Sequence, residues 1–414
     1  MKKPRVVLGM SGGVDSSVAA KLLRDQGYEV LGVTLKVWEE EDAQAASKRW
    51  QERGCCKVGM ARHVAALLDI SHQVVDTRET FEKGVIEDFI HGYLQGTTPN
   101  PCVRCNERVK FGGLFHVADQ LGADYVATGH YATITQDEQG SPFLARGRDL
   151  KKDQSYFLYR IPAEWLSKML FPLGHLEKPQ VWAEAEAMGL PVEELKESQE
   201  ICFVSQGDYR KFLKANAPEA SRPGRFVDAQ GHELGQHEGV AFYTPGQRKG
   251  LGLATGERMY VQRVDPEINV VVLGPAEDLS SSSCLVSDLN VFAGERLQDG
   301  NAVEVKFRYA SHPVPATVEW KDANTLKVHF GSPVRALSPG QSAVFYAGPL
   351  VLGGGIIQGH SDPLVFPQKK SGKQMENTHL VEFVSRGKGV GGGPRVRGVM
   401  LPNRGEECSG GLGG

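Results

Sequence analysis

Apolar and polar residues take turns along the first third of the chain in blocks of two kinds. An apolar run at Val6–Gly9 reads as a short strand, a helical segment over Ser16–Gln26 follows, and a second strand spans Glu29–Val37. Near that helix Val14, Val18 and Leu22 recur every four residues on one face, and Gly27 stands where helices often end on a left-handed residue. The alternation continues with helical segments near Val58–Leu68, Thr80–Leu94 and Asn106–Leu121, and with strands at Gln73–Val75 and Tyr125–Thr128. Strand and helix in turn predict an α/β domain with a parallel sheet covered on both faces. Ligands of such sheets bind beyond the strand C-termini, where Ser11–Ser16, Leu35 and Gly129-His130 fall.

Past residue 208 the texture changes to short segments rich in glycine, proline and charge, including Gly246-Gln-Arg-Lys-Gly-Leu-Gly252. From Ser280 to Val365, short alternating runs such as 302–309, 316–320, 325–330 and 342–347 are spaced by turn residues, which predicts a small antiparallel barrel. The expected divisions are an N-terminal α/β domain over 1–208, a small central domain over 209–279, a C-terminal β-barrel over 280–366 and a glycine-rich tail over 367–414. The tail has few aromatics and no period, a composition that suits disorder.

With 414 residues, 40% of them apolar, the chain can fill two or three cores. No 18-residue apolar run or signal-type segment is present, so the expectation is a soluble, cytoplasmic protein without membrane contact. Seven cysteines in that setting point to redox, metal or nucleophilic chemistry more than to structural disulfides. A net charge of −3 requires any nucleic acid to be held by local basic patches.

The densest chemical signal is Gly9-Met10-Ser11-Gly12-Gly13-Val14-Asp15-Ser16, set between a strand and a helix. Adjacent glycines let successive N–H groups face one anion, the helix N-terminus adds positive potential, and Asp15 can hold a Mg2+ ion that bridges phosphates. A serine-capped glycine turn is the bland alternative. No lysine follows as in GxxxxGK[ST], which argues against an ordinary NTPase. The loop resembles that of the PP-loop ATP pyrophosphatases, which cleave ATP between the α and β phosphates and adenylate a carbonyl oxygen.

Thr98-Pro99-Asn100-Pro101-Cys102-Val103-Arg104-Cys105-Asn106 places a CxxC just after prolines, at the expected start of a helix near Glu107, a position that favours a thiolate. A third cysteine lies far off, in Ser198-Gln-Glu-Ile-Cys202-Phe203. Taken singly, each could be an inert buried thiol. Together with Ala127-Thr-Gly-His130, Lys152-Asp-Gln-Ser-Tyr-Phe-Leu158 and Gly246-Gln-Arg-Lys-Gly250, the motifs resemble, over about residues 5–365, the tRNA 2-thiouridylases, which replace the C2 oxygen of the wobble uridine by sulfur.

The resemblance implies that Gly9 to Ser16, Leu35 and Gly129 hold ATP, that Cys202 carries a persulfide and that Cys105 is its partner nucleophile. It also implies that Thr98, Pro99, Asn100 and Pro101 edge the pocket for a flipped uridine. Contacts to tRNA fall by resemblance on His130, Lys152, Asp153, Gln154, Arg308, Tyr309 and Gln341; the implied partners are tRNAs for Lys, Glu and Gln and a cysteine desulfurase or sulfur-relay protein. This chain departs from many members at Cys102, where aspartate is common. Cys102, Cys105 and Cys202 could then instead bind a 4Fe–4S cluster, a route the spacing leaves open; a zinc site lacks an obvious fourth ligand. By pattern, Lys306 and Arg308 share one strand face and Phe307 and Tyr309 the other, as in any barrel strand. Gln247, Arg248 and Lys249 form a further basic loop. Two other functions fit parts of the pattern: an amidotransferase or synthetase adenylating a small molecule, which needs neither Cys105 nor Cys202, and a non-catalytic RNA-binding protein with a structural metal. Cys55-Cys56, Cys284 and Cys408 carry no assigned chemistry.

Overall fold

The computed structural model describes residues 3–37, 58–137, 140–190, 201–204, 208–253 and 256–359. Cys55, Cys56, Cys408 and the tail expected to be disordered lie outside the described residues. In chain order the strands begin with β1 (Arg5–Gly9), β2 (Glu29–Lys36), β3 (Ser71–Asp76) and β4 (Tyr125–Thr128), then a hairpin of β5 (Ala132–Gln136) and β6 (Pro142–Arg146), then the two-residue β7 (Met169–Leu170). β3-β2-β1-β4-β7 lie side by side, all parallel. Val6, Val7 and Leu8 are fully buried because β1 is central and covered on both faces, which accounts for its unbroken apolar run. The sheet order reverses between β1 and β4, so the loops that follow these two strands open onto one crevice.

The first helix, α1 (Val14–Asp25), starts two residues before the expected Ser16, with Val14, the first residue of the periodic face, and with extended Gly13 in the N-cap position. The helix expected from Asn106 differs more. It begins at Pro101, with Asn100 as N-cap accepting from the Val103 N–H at 3.3 Å and proline in the first turn. A π-helical turn at Cys105–Lys110 follows, then Phe111–Leu121, closed by left-handed Gly122. The neighbouring helical segment, expected from Thr80, is likewise Arg78–Phe81, a π turn at Glu82–Ile86 and Glu87–Leu94.

A central sheet follows the helix Tyr209–Asn216: β8 (Gly224–Val227), β9 (Glu233–His237), β10 (Tyr260–Asp265) and β11 (Val270–Gly274), in the order β10-β11-β8-β9. Beyond it, β12 (Ser280–Val291), β13 (Ala302–Lys306), β14 (Val314–Asp322), β15 (Thr325–Arg335), β16 (Ser342–Ala347) and β17 (Leu350–Ile357) run β12-β15-β14-β13-β16-β17, and β12 pairs with β17 to close a six-stranded antiparallel barrel. Val305, Phe345, Leu326 and Val328 fill its interior. The β5–β6 hairpin extends this sheet through Leu350 opposite Ala145, so a piece of the N-terminal region is built onto the barrel. The alternation expected over 306–309 does not hold. β13 ends at Lys306, which is buried beside Phe307, while Arg308 and Tyr309 lie in the turn beyond it. Among the described residues no helix is long and apolar enough to cross a membrane.

Candidate active site

The loop after β1 is held from both sides. Met10 N–H donates to Val33 O at 2.8 Å, and the Thr34 hydroxyl donates to Met10 O at 2.7 Å. Because that hydroxyl proton is committed, His72 Nε2, 2.8 Å from Thr34 Oγ1, is the donor of its pair, which selects the Nε2–H tautomer. Burial, aided by Arg62, lowers the His72 pKa and keeps that neutral form. Gly12 has φ 75°, a conformation glycine adopts without strain. Ser16 and Ser17 hydroxyls both donate to Gly13 O, at 3.1 and 2.9 Å, and Ser11 N–H donates to Ser16 Oγ at 3.2 Å. The hydroxyls thus first shape the loop; Ser16 and Ser17 are buried.

Gly129, after β4, closes the crevice. A Cβ there would meet the carbonyl carbon of Asp15 at 2.8 Å and the nitrogen of Ser16 at 2.9 Å, so the two strand-end loops touch backbone to backbone. His130 Nδ1 lies 2.7 Å from Thr128 Oγ1 and its ring stacks on Phe111. Burial, with Lys110 nearby, pushes its pKa down to about 3, so it is neutral at physiological pH.

Asp15 has partners that its sequence neighbours do not reveal. Its Oδ1 accepts from the Tyr131 hydroxyl at 2.8 Å and from Lys178 Nζ at 2.7 Å. Both come from outside the loop, and the motif reading missed both; 163 residues separate Lys178 from Asp15. The one signal was Lys178 standing beside Pro179 after Glu177, a helix-start pattern.

The CxxC lies across the new helix boundary. Cys102 is in the first turn, where N-terminal potential acts, while Cys105 opens the π turn beyond it and is 7% exposed. π turns recur at functional sites. Phe111 and Leu114, on the helix that continues from this turn, seat on His130 and against Gly9, so the helix following Cys105 packs where β1 runs into the glycine loop. Cys202 is half-buried and borders the same apolar cluster as Cys105; next to it Phe203 packs edge-on against Phe81, Phe89 and Phe212. Asn106, beside Cys105, is buried; its amide donates to Phe157 O at 3.1 Å, and its Oδ1 is without a hydrogen-bond partner among the described residues.

Three family descriptions match successive parts of the chain: "tRNA methyl transferase HUP domain" over 4–206, "tRNA methyl transferase PRC-barrel domain" over 210–275 and "Aminomethyltransferase beta-barrel domain" over 281–357. The tRNA-specific 2-thiouridylase MnmA of Clostridium perfringens is 44% identical over 363 residues, 86% of this chain and 99% of that protein. The corresponding proteins of Acetivibrio thermocellus and Moorella thermoacetica are 45% and 47% identical, over 86% and 85% of this chain and 100% and 99% of theirs. The chain belongs to the tRNA-specific 2-thiouridylase family. A solved NMN synthetase from Francisella tularensis overlaps with TM-score 0.29 and 18% identity, over 50% of this chain and 71% of that one, too weakly to bear on the fold.

In this 2-thiouridylase family member the Thr98–Pro101 segment is a junction. Thr98 N–H donates to Pro339 O at 2.7 Å, its carbonyl accepts from Gln341 Nε2 at 2.8 Å, and its hydroxyl donates to Thr244 Oγ1 at 3.2 Å. The segment is thereby tied both to the barrel and to the loop between β9 and β10 of the central region. Pro99 and Asn100 line a cavity of about 160 Å³ with Asp88, His91, Arg104 and Ser342.

The residues expected to touch RNA fall into two groups. Arg308 is exposed, its guanidinium donating to Ala336 O and Ser338 Oγ, and Tyr309 is half-buried against Phe157. Lys152 is half-buried in a polar turn, while Arg248 and Lys249 are exposed. Asp153, by contrast, is 3% exposed, with Oδ1 accepting from Gly147 and Ser155 N–H and Oδ2 from the Ser155 hydroxyl. Gln154 Oε1 accepts from Tyr131 N–H at 2.9 Å. These two side chains shape the turn that presents Lys152.

For metals, the donor set decides. A single carboxylate beside a phosphate loop suits Mg2+, which binds through one or two carboxylates, phosphates and water. An iron–sulfur cluster requires convergent thiolates. Among the described residues no group of three or more His, Cys, Asp or Glu side chains is placed to hold a metal ion, so a cluster on Cys102, Cys105 and Cys202 has no support in this structure.

Proposed function

We propose that this protein uses ATP to replace the C2 oxygen of the wobble uridine in tRNA by sulfur. The observation that supports this reading is that the helix continuing from the Cys105 turn seats Phe111 on His130 and Leu114 against Gly9, next to the glycine loop. Family membership supports tRNA as the substrate, since relatives of this length and identity are tRNA-specific 2-thiouridylases.

Uridine C2=O is a poor leaving group, and adenylation makes it a good one. The O2 oxygen attacks the α-phosphorus, the bond to the β-phosphate oxygen breaks, pyrophosphate leaves and N3 gives its proton to solvent. Gly9, Met10, Ser11, Gly12, Gly13, Val14, Asp15, Ser16, Leu35 and Gly129 surround the ATP. Asp15 would hold Mg2+, which would supply charge neutralisation on the phosphates. Cys202 carries a persulfide; the Cys105 thiolate attacks its inner sulfur, forming a Cys105–Cys202 disulfide and releasing hydrosulfide. Hydrosulfide adds at C2 and expels AMP, and a thiol reductant supplies two electrons to restore both cysteines. Thr98, Pro99, Asn100 and Pro101 edge the uridine pocket, Lys152, Arg308, Tyr309 and Gln341 meet the RNA, and His130 contributes as a neutral group. Asp153 and Gln154 act by positioning. The sulfur source is a cysteine desulfurase or relay protein, the tRNAs are those for Lys, Glu and Gln, and the setting is the cytoplasm. Cys105→Ser and Cys202→Ser are expected to abolish 2-thiouridine formation, read by mass spectrometry of tRNA nucleosides, while ATP still binds; thionucleoside at wild-type level in either variant contradicts the persulfide route.

A further inference from the structure

The glycine loop contains no lysine, yet an ammonium group stands beside it. Lys178 begins the helix Lys178–Ala187 and is only 7% exposed. Its backbone is pinned by an N–H donated to Asp149 Oδ2 at 3.0 Å and by a capping box in which Glu177 and Gln180 exchange hydrogen bonds. Its ammonium lies 5.5 Å from the Tyr131 ring centroid and 5.2 Å from that of Trp182, and donates to Asp15 Oδ1 at 2.7 Å.

Asp15 is in the first turn of α1, where phosphates would approach. Alone, its carboxylate would repel them. A surface ion pair would balance that charge without desolvating an ammonium, whereas here the cation is buried, fixed at both ends of its side chain and bonded to Asp15 in the first turn after the loop. Resting on the reading that the loop binds ATP, we propose that Lys178 is a phosphate-binding residue: its ammonium contacts the β and γ phosphates and offsets the charge that builds on pyrophosphate as the α–β bond breaks. A helix far along the chain thereby supplies the cation that other phosphate loops carry within their own motif. No proton changes place in this step, because the ammonium acts as a hydrogen-bonding cation.

The test is calorimetric titration of the full chain with three probes: α,β-methylene ATP with Mg2+, AMP, and pyrophosphate with Mg2+. Lys178→Met is expected to weaken the ATP analogue and pyrophosphate at least tenfold and AMP less than twofold, with Lys178→Arg restoring part of the loss. Equal losses for AMP and the ATP analogue would show a residue that merely props Asp15 and would overturn the proposal, as would unchanged affinities. Should the methionine variant fail to fold by thermal melting, Lys178→Gln and Lys178→Arg report the same ratio. Absence of adenine-nucleotide binding by the wild-type chain would overturn the ATP reading itself, a result distinct from selective or parallel losses in the variants.

Discussion

Gly129 has no room for a side chain, since the backbone of Asp15 and Ser16 fills the space a Cβ would need. Overpacking of this kind costs about 1–3 kcal/mol, and here it pushes on the phosphate loop itself. Gly129→Ala is therefore expected to weaken ATP binding by about tenfold or more, because each ~1.4 kcal/mol is a factor of ten, while the melting temperature falls only a few degrees. Calorimetric titration and a thermal melt check both halves. The glycine loop and the CxxC stand out in the sequence because each is a contiguous motif. Lys178 and Tyr131 could not, since their part depends on a sheet that brings distant segments to Asp15.

The segment around Cys105 is held as an element by charge. Arg104 reaches Glu107 at 3.0 Å and Asp288 at 3.3 Å, and Arg160 reaches the same two carboxylates at 2.9 and 3.0 Å. Asp288 sits on barrel strand β12 with φ 51°, at an irregularity in the pairing between Ser287 and Asn290. Although burial raises its pKa, Arg160 and Arg104 outweigh that and hold its carboxyl below the ordinary range. The barrel is thus clamped to the residues flanking the proposed nucleophile. Asp288→Ala is expected to cost about 1–3 kcal/mol, between the worth of exposed and buried pairs, and to change the rate at which Cys105 is alkylated relative to wild type. Nucleotide affinity should stay within twofold. Equal Cys105 reactivity in both proteins would remove the coupling. The elements with strong local periodicity, β1, α1, β2 and β4, were legible from residue pattern. The β5–β6 hairpin was not, because its pairing with Leu350 is long-range, and the early start at Pro101 hides behind prolines that usually signal a break.

At the scale of the whole molecule, two histidines are shifted far in the direction that matters for acid. His130 and His237 are pushed down to about 3 and about 4, mainly by burial, from an ordinary value near 6.5. Above pH 6.5 both are neutral folded or unfolded, and stability is intact. Between pH 6.5 and about 4 the unfolded chain binds protons that the folded chain excludes, so stability falls as pH falls, by at most ~1.4 kcal/mol per pH unit per histidine. Urea unfolding at pH 7 and pH 5 should show the loss, and His237→Phe, at a site packed by Phe226 and Tyr243, should make it smaller. An unchanged pH slope in that variant would contradict the assignment. The three-part architecture was legible in its classes: an alternating α/β start, a glycine-rich middle and a turn-spaced β end. How those parts share Thr98 and Asp288 was not, because such junctions leave no local pattern.

The central claim is that activated uridine and cysteine-borne sulfur meet in one site. Purified protein preloaded with persulfide should be mixed once with tRNA and ATP, and the thionucleoside, AMP and pyrophosphate counted together. The account predicts one wobble 2-thiouridine for each AMP and pyrophosphate, and none from the Cys202→Ser protein. Pyrophosphate released without sulfur entering the wild-type reaction's tRNA, or thiolation of equal extent by Cys202→Ser, would contradict it.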